Sequence, residues 1–154
     1  ASTGKTEAHD YLRQLGARGF IDRRELTPES KRPLESERWA GAVDAVGGDT
    51  LDTLLRAMAR GGSVALSGNA GGVPLNTNVL PFILRGVKLL GIDSNLCPSR
   101  QRLQAWSRLA ELLSAEQLEL MTYREASLAE IPELSRDILQ GKMRGRVVID
   151  VAST

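Results

Sequence analysis

Between Trp39 and Gly72 short apolar runs alternate with glycine turns, in the order strand, turn, amphipathic helix, turn, strand, glycine-rich loop. Ala42 to Val46, broken only by Asp44, and Ser63 to Leu66 are the two strand candidates. Between them Leu51, Leu54, Leu55 and Met58 fall at i, i+3, i+4 and i+7, the spacing that lays one face of a helix on a sheet. Asp49 or Thr50 can cap that helix and Gly61 can stop it. Parallel strands need a crossover of this length, and such crossovers are right-handed, so the unit predicts a parallel sheet with helices on its faces. In open α/β sheets ligands gather outside the carboxyl ends of the strands.

The flanking segments extend the pattern. Ala8, Tyr11, Leu12 and Leu15 predict a helix from Thr6 to Leu15, stopped at Gly16. Ser2-Thr3-Gly4-Lys5 would then lie at its N-terminus, where free N–H groups, hydroxyls and a lysine suit an anion; an ordinary capped helix start with a solvated lysine uses the same residues. Gly19 to Asp22 is a short strand candidate, and Arg23 or Arg24 at its end could reach the same anion or form a solvated pair. Glu25 to Arg38, with Pro28 and Pro33, is polar and expected at the surface.

Beyond the central unit, Asn78 can cap a short helix with Pro81 in its first turn, and Val87 to Ile92 predicts a further strand. Three strands thus end in small polar or glycine residues: Val46-Gly47-Gly48, Ser67-Gly68-Asn69 and Ile92-Asp93-Ser94. Glycine there admits a flat ligand close to the backbone and equally serves a plain turn. Ser99 to Leu113 predicts a helix with Leu103, Trp106, Leu109, Ala110 and Leu113 on one face, placing Trp106 in the core or against another domain. Ser127 and Glu130 resemble a capping box, but a helix starting there would bury Pro132 beyond its first turn, so the last helix is expected to start near Ile131 and to stop at Gly141. Val147 to Val151 predicts a final strand.

Charge narrows the partners. Twenty basic and nineteen acidic residues, interspersed, leave a net charge of +1, which offers no basic stripe for nucleic acid. Cys97 is the only cysteine and His9 the only histidine, so no disulfide, thiolate-rich zinc site or multi-histidine centre is expected, and a reducing, cytoplasmic setting fits. His9 reads as a surface residue and Cys97 as an inert thiol. No apolar run reaches the roughly eighteen residues of a membrane span, and the start lacks the character of a signal peptide. Neither a Gly-x-Gly-x-x-Gly fingerprint nor a Gly-Lys-Ser/Thr phosphate loop is present. The start at Ala1, entering a helix almost at once, reads like the interior of a longer protein.

Taken together, Thr3-Gly4-Lys5 with the EAHDYLRQLGA helix, WAGAVDAVGG, SVALSGNAGG, LPFILRGVKLLGIDS, QAWSRLAELL and QGKMRGRVVIDV resemble, in this order and over essentially the whole chain, the cofactor-binding half of the zinc-independent medium-chain dehydrogenase/reductases. LPFILRGVKLLGIDS is similar to the acrylyl-CoA reductase and YhdH/YhfP-type quinone oxidoreductase group in particular. The resemblance implies an α/β fold, a Rossmann-like doubly wound parallel sheet, here N-terminally truncated and lacking the GroES-like domain and the first glycine-rich turn. Residues 1–154 would then be a partial NADP-binding domain, with 127–154 the helix and strand returning toward the substrate domain.

Carried onto matching positions, the resemblance implies that Thr3, Gly4, Lys5 and Arg23 hold the 2′-phosphate of NADP(H). Val46 and Gly47 would face its adenosine side, and Ser67, Gly68, Ile92, Asp93 and Ser94 its nicotinamide side. No acidic residue stands where a ribose 2′-hydroxyl would be held, which agrees with NADP over NAD. The implied function is NADPH-dependent reduction of an enoyl-CoA or quinone, in a homodimer when full-length, with no catalytic residue assignable here and little activity expected of this chain alone. Two other readings stay open. An S-adenosylmethionine-type methyltransferase would also be a parallel α/β sheet, and Val43-Asp44-Ala45-Val46 resembles its strand before a substrate loop. A non-catalytic nucleotide-binding or assembly module would use exposed sheet edges to pair.

Overall fold

The computed structural model describes residues 1–27, 30 and 32–152; Pro28 and the last two residues of the expected 127–154 segment lie outside the described residues. The chain divides into two compact units, Ala1–Thr6 with Arg18–Cys97, and Glu7–Ala17 with Pro98–Thr154. Among the described residues no helix is long and apolar enough to cross a membrane.

The second unit contains α1 (His9–Gln14), which follows a 3-10 turn at Thr6–Ala8 where the spacing predicted continuous helix. Within the first unit, β1 (Trp39–Asp44), α2 (Gly48–Ala57) and β2 (Met58–Leu66) form the expected crossover, and β1 and β2 are parallel. α3 (Leu80–Arg85) then leads into β3 (Lys88–Gly91), which pairs parallel with β2 and gives the order β1-β2-β3. The apolar spacing of α2 reports its burial: Leu51, Leu54, Leu55 and Met58 are all buried, and Leu51, Leu55 and Met58 pack with Val64 and Val87 as the core.

Both expected ends of α2 are corrected. Gly47 is the N-cap, with no side-chain cap, and Asp49 and Thr50 stand inside the helix. The helix ends at Ala57, and its C-cap Met58 is already extended, three residues ahead of Gly61. Gly61 instead lies inside β2 at φ 73°, where the register jumps from Trp39↔Met58 to Gly41↔Ser63 and the extra residues must bulge. Gly19 to Asp22 is not a regular strand: it contributes one parallel bridge, Ser2↔Ile21. Asn78 does act at the start of α3, its Oδ1 accepting the Leu80 N–H at 2.9 Å.

The polar stretch before β1 is tied down more firmly than its composition suggests. Arg56, buried and paired to Asp52 at 2.9 Å, donates to the Ser30 and Arg32 carbonyls. Arg85 donates to the carbonyls of Glu35, Arg56 and Met58. Two guanidinium groups therefore tie carbonyls of this stretch to the end of α2 and the start of β2.

The second unit also holds α4 (Ser99–Leu112), α5 (Ala115–Met121), β4 (Thr122–Ser127), α6 (Ile131–Leu139) and β5 (Arg146–Asp150), with β4 and β5 parallel. α5 and β4 were not expected. The Ser114–Gln117 capping box announces α5, whereas Thr122 to Ser127 mixes charged residues with few strand formers. The Ser127–Glu130 box is real and caps a short 3-10 turn, Leu128–Glu130; α6 then starts at Ile131 with Pro132 in its first turn, which resolves the conflict between box and proline. Trp106 is 64 % exposed, so its placement in the core is overturned; α4 buries none of its residues.

Candidate functional site

All eleven residues singled out for a cofactor belong to the first unit. Asp44, Leu66 and Gly91 stand in one row across β1, β2 and β3, so the loops beginning near Val46, Ser67 and Ile92 leave the sheet at one edge. Backbone bonds continue the row past the strands: the Ser67 N–H donates to the Asp44 carbonyl at 2.8 Å, and the Ile92 N–H to the Leu66 carbonyl at 2.9 Å.

Asp44, which interrupts the apolar run in the sequence, organises this edge. It is only 3 % exposed, and its carboxylate accepts the Val46 N–H at 3.1 Å and the Gly47 N–H at 2.8 Å. These two amides are thus turned inward, and Val46 meets solvent through its half-exposed side chain. The first two loops also bind each other, with the Ala70 N–H on the Ala45 carbonyl and the Gly71 N–H on the Val46 carbonyl at 2.7 Å. This explains two of the glycines without a ligand. A Cβ on Gly47, at φ 69°, would stand 2.7 Å from the Gly72 oxygen, and one on Gly68 would stand 2.7 Å from the Ala45 oxygen. At the third loop Asp93 folds back on its own turn, Oδ1 accepting the Asn95 and Leu96 N–H groups at 3.0 and 2.9 Å. Ile92, Asp93, Ser94 and Ser67 are exposed.

The remaining candidates are gathered by the Ser2↔Ile21 bridge. The Thr3 N–H donates to the Ile21 carbonyl at 3.1 Å and the Ile21 N–H to the Ala1 carbonyl at 2.9 Å, which delivers Thr3-Gly4-Lys5 alongside Arg23. Thr3 Oγ1 accepts the Lys5 N–H at 3.1 Å. Arg23 opens a 3-10 turn, Arg23–Leu26, whose capping box joins the Asp22 carboxylate to the Arg24 N–H and the Glu25 carboxylate to the Asp22 N–H.

The two adjacent arginines are chemically distinct. Arg24 is spent on Asp22, with Nη2–Oδ2 at 2.6 Å and Nε–Oδ1 at 3.1 Å. The Arg24 side-chain and backbone hydrogen bonds pull the Asp22 carboxyl from its ordinary 3.8 down to about 2, and Asp22 in turn raises Arg24. Arg23 has no ion-pair partner among the described residues and lines a groove of about 650 Å³ with Ser2, Ile21, Trp39, Val46 and Gly71. The groove therefore joins Arg23 to Val46, while Thr3, Gly4, Lys5, Gly47, Ser67, Gly68, Ile92, Asp93 and Ser94 are not among its walls. An un-neutralised guanidinium beside hydroxyl, glycine and lysine residues is the donor set a phosphate requires.

Comparison with known proteins follows the same outline. The family profile described as zinc-binding dehydrogenase matches residues 1–114. The acrylyl-CoA reductase AcuI of Ruegeria pomeroyi is 52 % identical over 151 residues, which are 98 % of this chain and 46 % of that protein. YhfP of Bacillus subtilis, which bears a quinone-oxidoreductase name, is 48 % identical over 97 % of this chain and 45 % of its own length. Its crystal structure with NAD bound superposes with a TM-score of 0.91. The YhdH oxidoreductase of Salmonella enterica, crystallised with NADP, is 39 % identical with a TM-score of 0.92, over 98 % of this chain and 46 % of that one.

The chain thus spans about half the length of the curated relatives it matches, and its α/β fold with parallel sheets is the Rossmann-like one expected. The family's description refers to zinc; among the described residues no three His, Cys, Asp or Glu side chains gather where they could hold a metal ion. On both the profile and the identities, this chain belongs to the zinc-binding dehydrogenase family, within the group that contains acrylyl-CoA reductase and the YhfP-type quinone oxidoreductase.

Proposed function

We propose that this chain is the NADPH-holding part of an oxidoreductase that reduces an activated alkene, of the acrylyl-CoA kind, or a quinone. The observation that carries the reading is the separation of the arginine pair: Asp22 pairs with Arg24 and leaves Arg23 without an ion-pair partner among the described residues, beside Thr3-Gly4-Lys5. Arg23 and Lys5 would supply charge to the 2′-phosphate, and Thr3 a hydroxyl. Val46 would pack on the adenosine side through its exposed side chain, with Gly47 beneath it in the Asp44-bound loop. Ser67, Gly68, Ile92, Asp93 and Ser94 share the strand-end edge where the nicotinamide part would lie. When bound, NADPH supplies the hydride; the role of the residues described here is to bind and orient it.

The segment from residue 127 onward, with α6 and β5, is read as returning the chain toward a substrate domain. The intact protein is read as a homodimer, as the resemblance implies. Family membership leaves the methyltransferase reading without support.

Titration of nucleotide fluorescence tests the cofactor claim. Lys5→Ala and Arg23→Ala are each expected to weaken NADPH roughly 10- to 100-fold, the loss of a charge-assisted bond, and to leave NADH within about threefold. Equal losses for both nucleotides would remove the 2′-phosphate assignment.

A further inference from the structure

Among the described residues eight glycines occupy left-handed backbone, and Gly4 is not one of them. Its conformation is open to any residue, so backbone freedom does not account for glycine at this position. What its missing side chain admits is Arg23. A Cβ built on Gly4 would stand 2.8 Å from Arg23 Nη2 and 2.9 Å from Nε, closer than such carbons are found, and a tight 3.2 Å from Cζ. The guanidinium therefore lies in the space that a side chain at residue 4 would take.

The other end of Arg23 is fixed independently. Its backbone begins the 3-10 turn that Asp22 caps through the Arg24 N–H at 2.9 Å, and the same carboxylate pairs with the Arg24 guanidinium. Arg23 is thus fixed at its Cα by the cap, and its guanidinium lies over Gly4, where no Cβ excludes it. A long side chain with fewer positions open to it loses less freedom when it meets an anion, and a planar fork is useful only in a defined orientation.

We propose that Gly4 is a specificity-determining positioning residue, seating the Arg23 guanidinium so that it meets the 2′-phosphate and setting the preference for NADPH over NADH. The inference rests on the cofactor reading given above. It assigns to Gly4 an action through Arg23 and no contact of its own with the nucleotide.

The test is a double-mutant cycle on the affinities for NADPH and NADH. Gly4→Ala strikes only the far end of a flexible side chain, so the fold is kept and the guanidinium is displaced. Gly4→Ala is expected to lower the NADPH-to-NADH affinity ratio by about tenfold or more, and Arg23→Ala to lower it by a similar factor. The double variant is expected to match Arg23→Ala within about twofold, because Gly4 has nothing left to position. A ratio unchanged in Gly4→Ala but lowered in Arg23→Ala would overturn the seat and spare the 2′-phosphate reading. A further fall when Gly4→Ala is added to Arg23→Ala would show that Gly4 acts on its own and would also overturn it. Loss of fold in Gly4→Ala, seen by circular dichroism, would assign Gly4 a different task. A ratio untouched by Arg23→Ala and by Lys5→Ala would remove the cofactor reading and the seat together.

Discussion

Asp22 divides the work of two neighbouring arginines, and it can do so only while ionised. Its carboxyl is held at about 2 against an ordinary 3.8, first by the Arg24 side-chain bond and then by the Arg24 backbone N–H. Because the folded value is the lower one, the stabilisation is complete above about pH 4 and is lost as pH falls through about 2. The cap that carries Arg23 is therefore intact throughout the neutral range. Carboxyl carbon NMR should give a midpoint for Asp22 near 2, with the Arg23 and Arg24 amide shifts following it; a midpoint at or above 3.8 would show that the pair does not form in solution. The spacing of the residues leaves Arg23 and Arg24 open and only the resemblance chooses Arg23, since the physical distinction arises from which of them turns back on Asp22.

At the scale of elements, Asp44 joins the ends of two strands. Its side chain holds the loop after β1 and its carbonyl takes both the N–H and the hydroxyl of Ser67 after β2. Asp44→Asn replaces one accepting oxygen by a donor that faces an N–H, and leaving a buried donor unpaired costs about 1–3 kcal/mol. Urea denaturation should show a loss of that size, and a loss below about 0.5 kcal/mol would contradict the assignment.

The crossover itself was legible because periodicity is set by burial: Leu51, Leu54, Leu55 and Met58 point to the core in any fold that uses this helix. Its ends were not, because Gly47 and Gly61 serve a close approach to Gly72 and a bulge in β2, which depend on segments distant in sequence. Asp44 was visible only as an interruption of an apolar run. Its meaning requires knowing that the run ends in a loop whose N–H groups turn inward. Likewise β4 carries Arg124 and Glu125 where a strand pattern would show alternation, and only its pairing with β5 makes it a strand.

For the molecule as a whole, membership of the family is secure while the chain accounts for about 46 % of the relatives' length. Many apolar side chains are exposed, Val43 at 82 % on β1 and Trp106 at 64 % on α4 among them. If this chain pairs through its exposed sheet edges, as an assembly module would, size-exclusion chromatography with light scattering on the purified chain gives a mass near twice 16.7 kDa. A monomer across the micromolar range would count against it.

The central claim is that Thr3-Gly4-Lys5 and Arg23 form a seat for a ribose 2′-phosphate. Titrating the ¹⁵N-labelled chain with 2′,5′-ADP, and separately with 5′-AMP, addresses it without any need for turnover. The account predicts saturating amide shifts at Thr3, Gly4, Lys5 and Ile21 to Arg24 with 2′,5′-ADP and far weaker ones with 5′-AMP. Equal responses to both nucleotides, or shifts with 2′,5′-ADP confined to other parts of the chain, would contradict it.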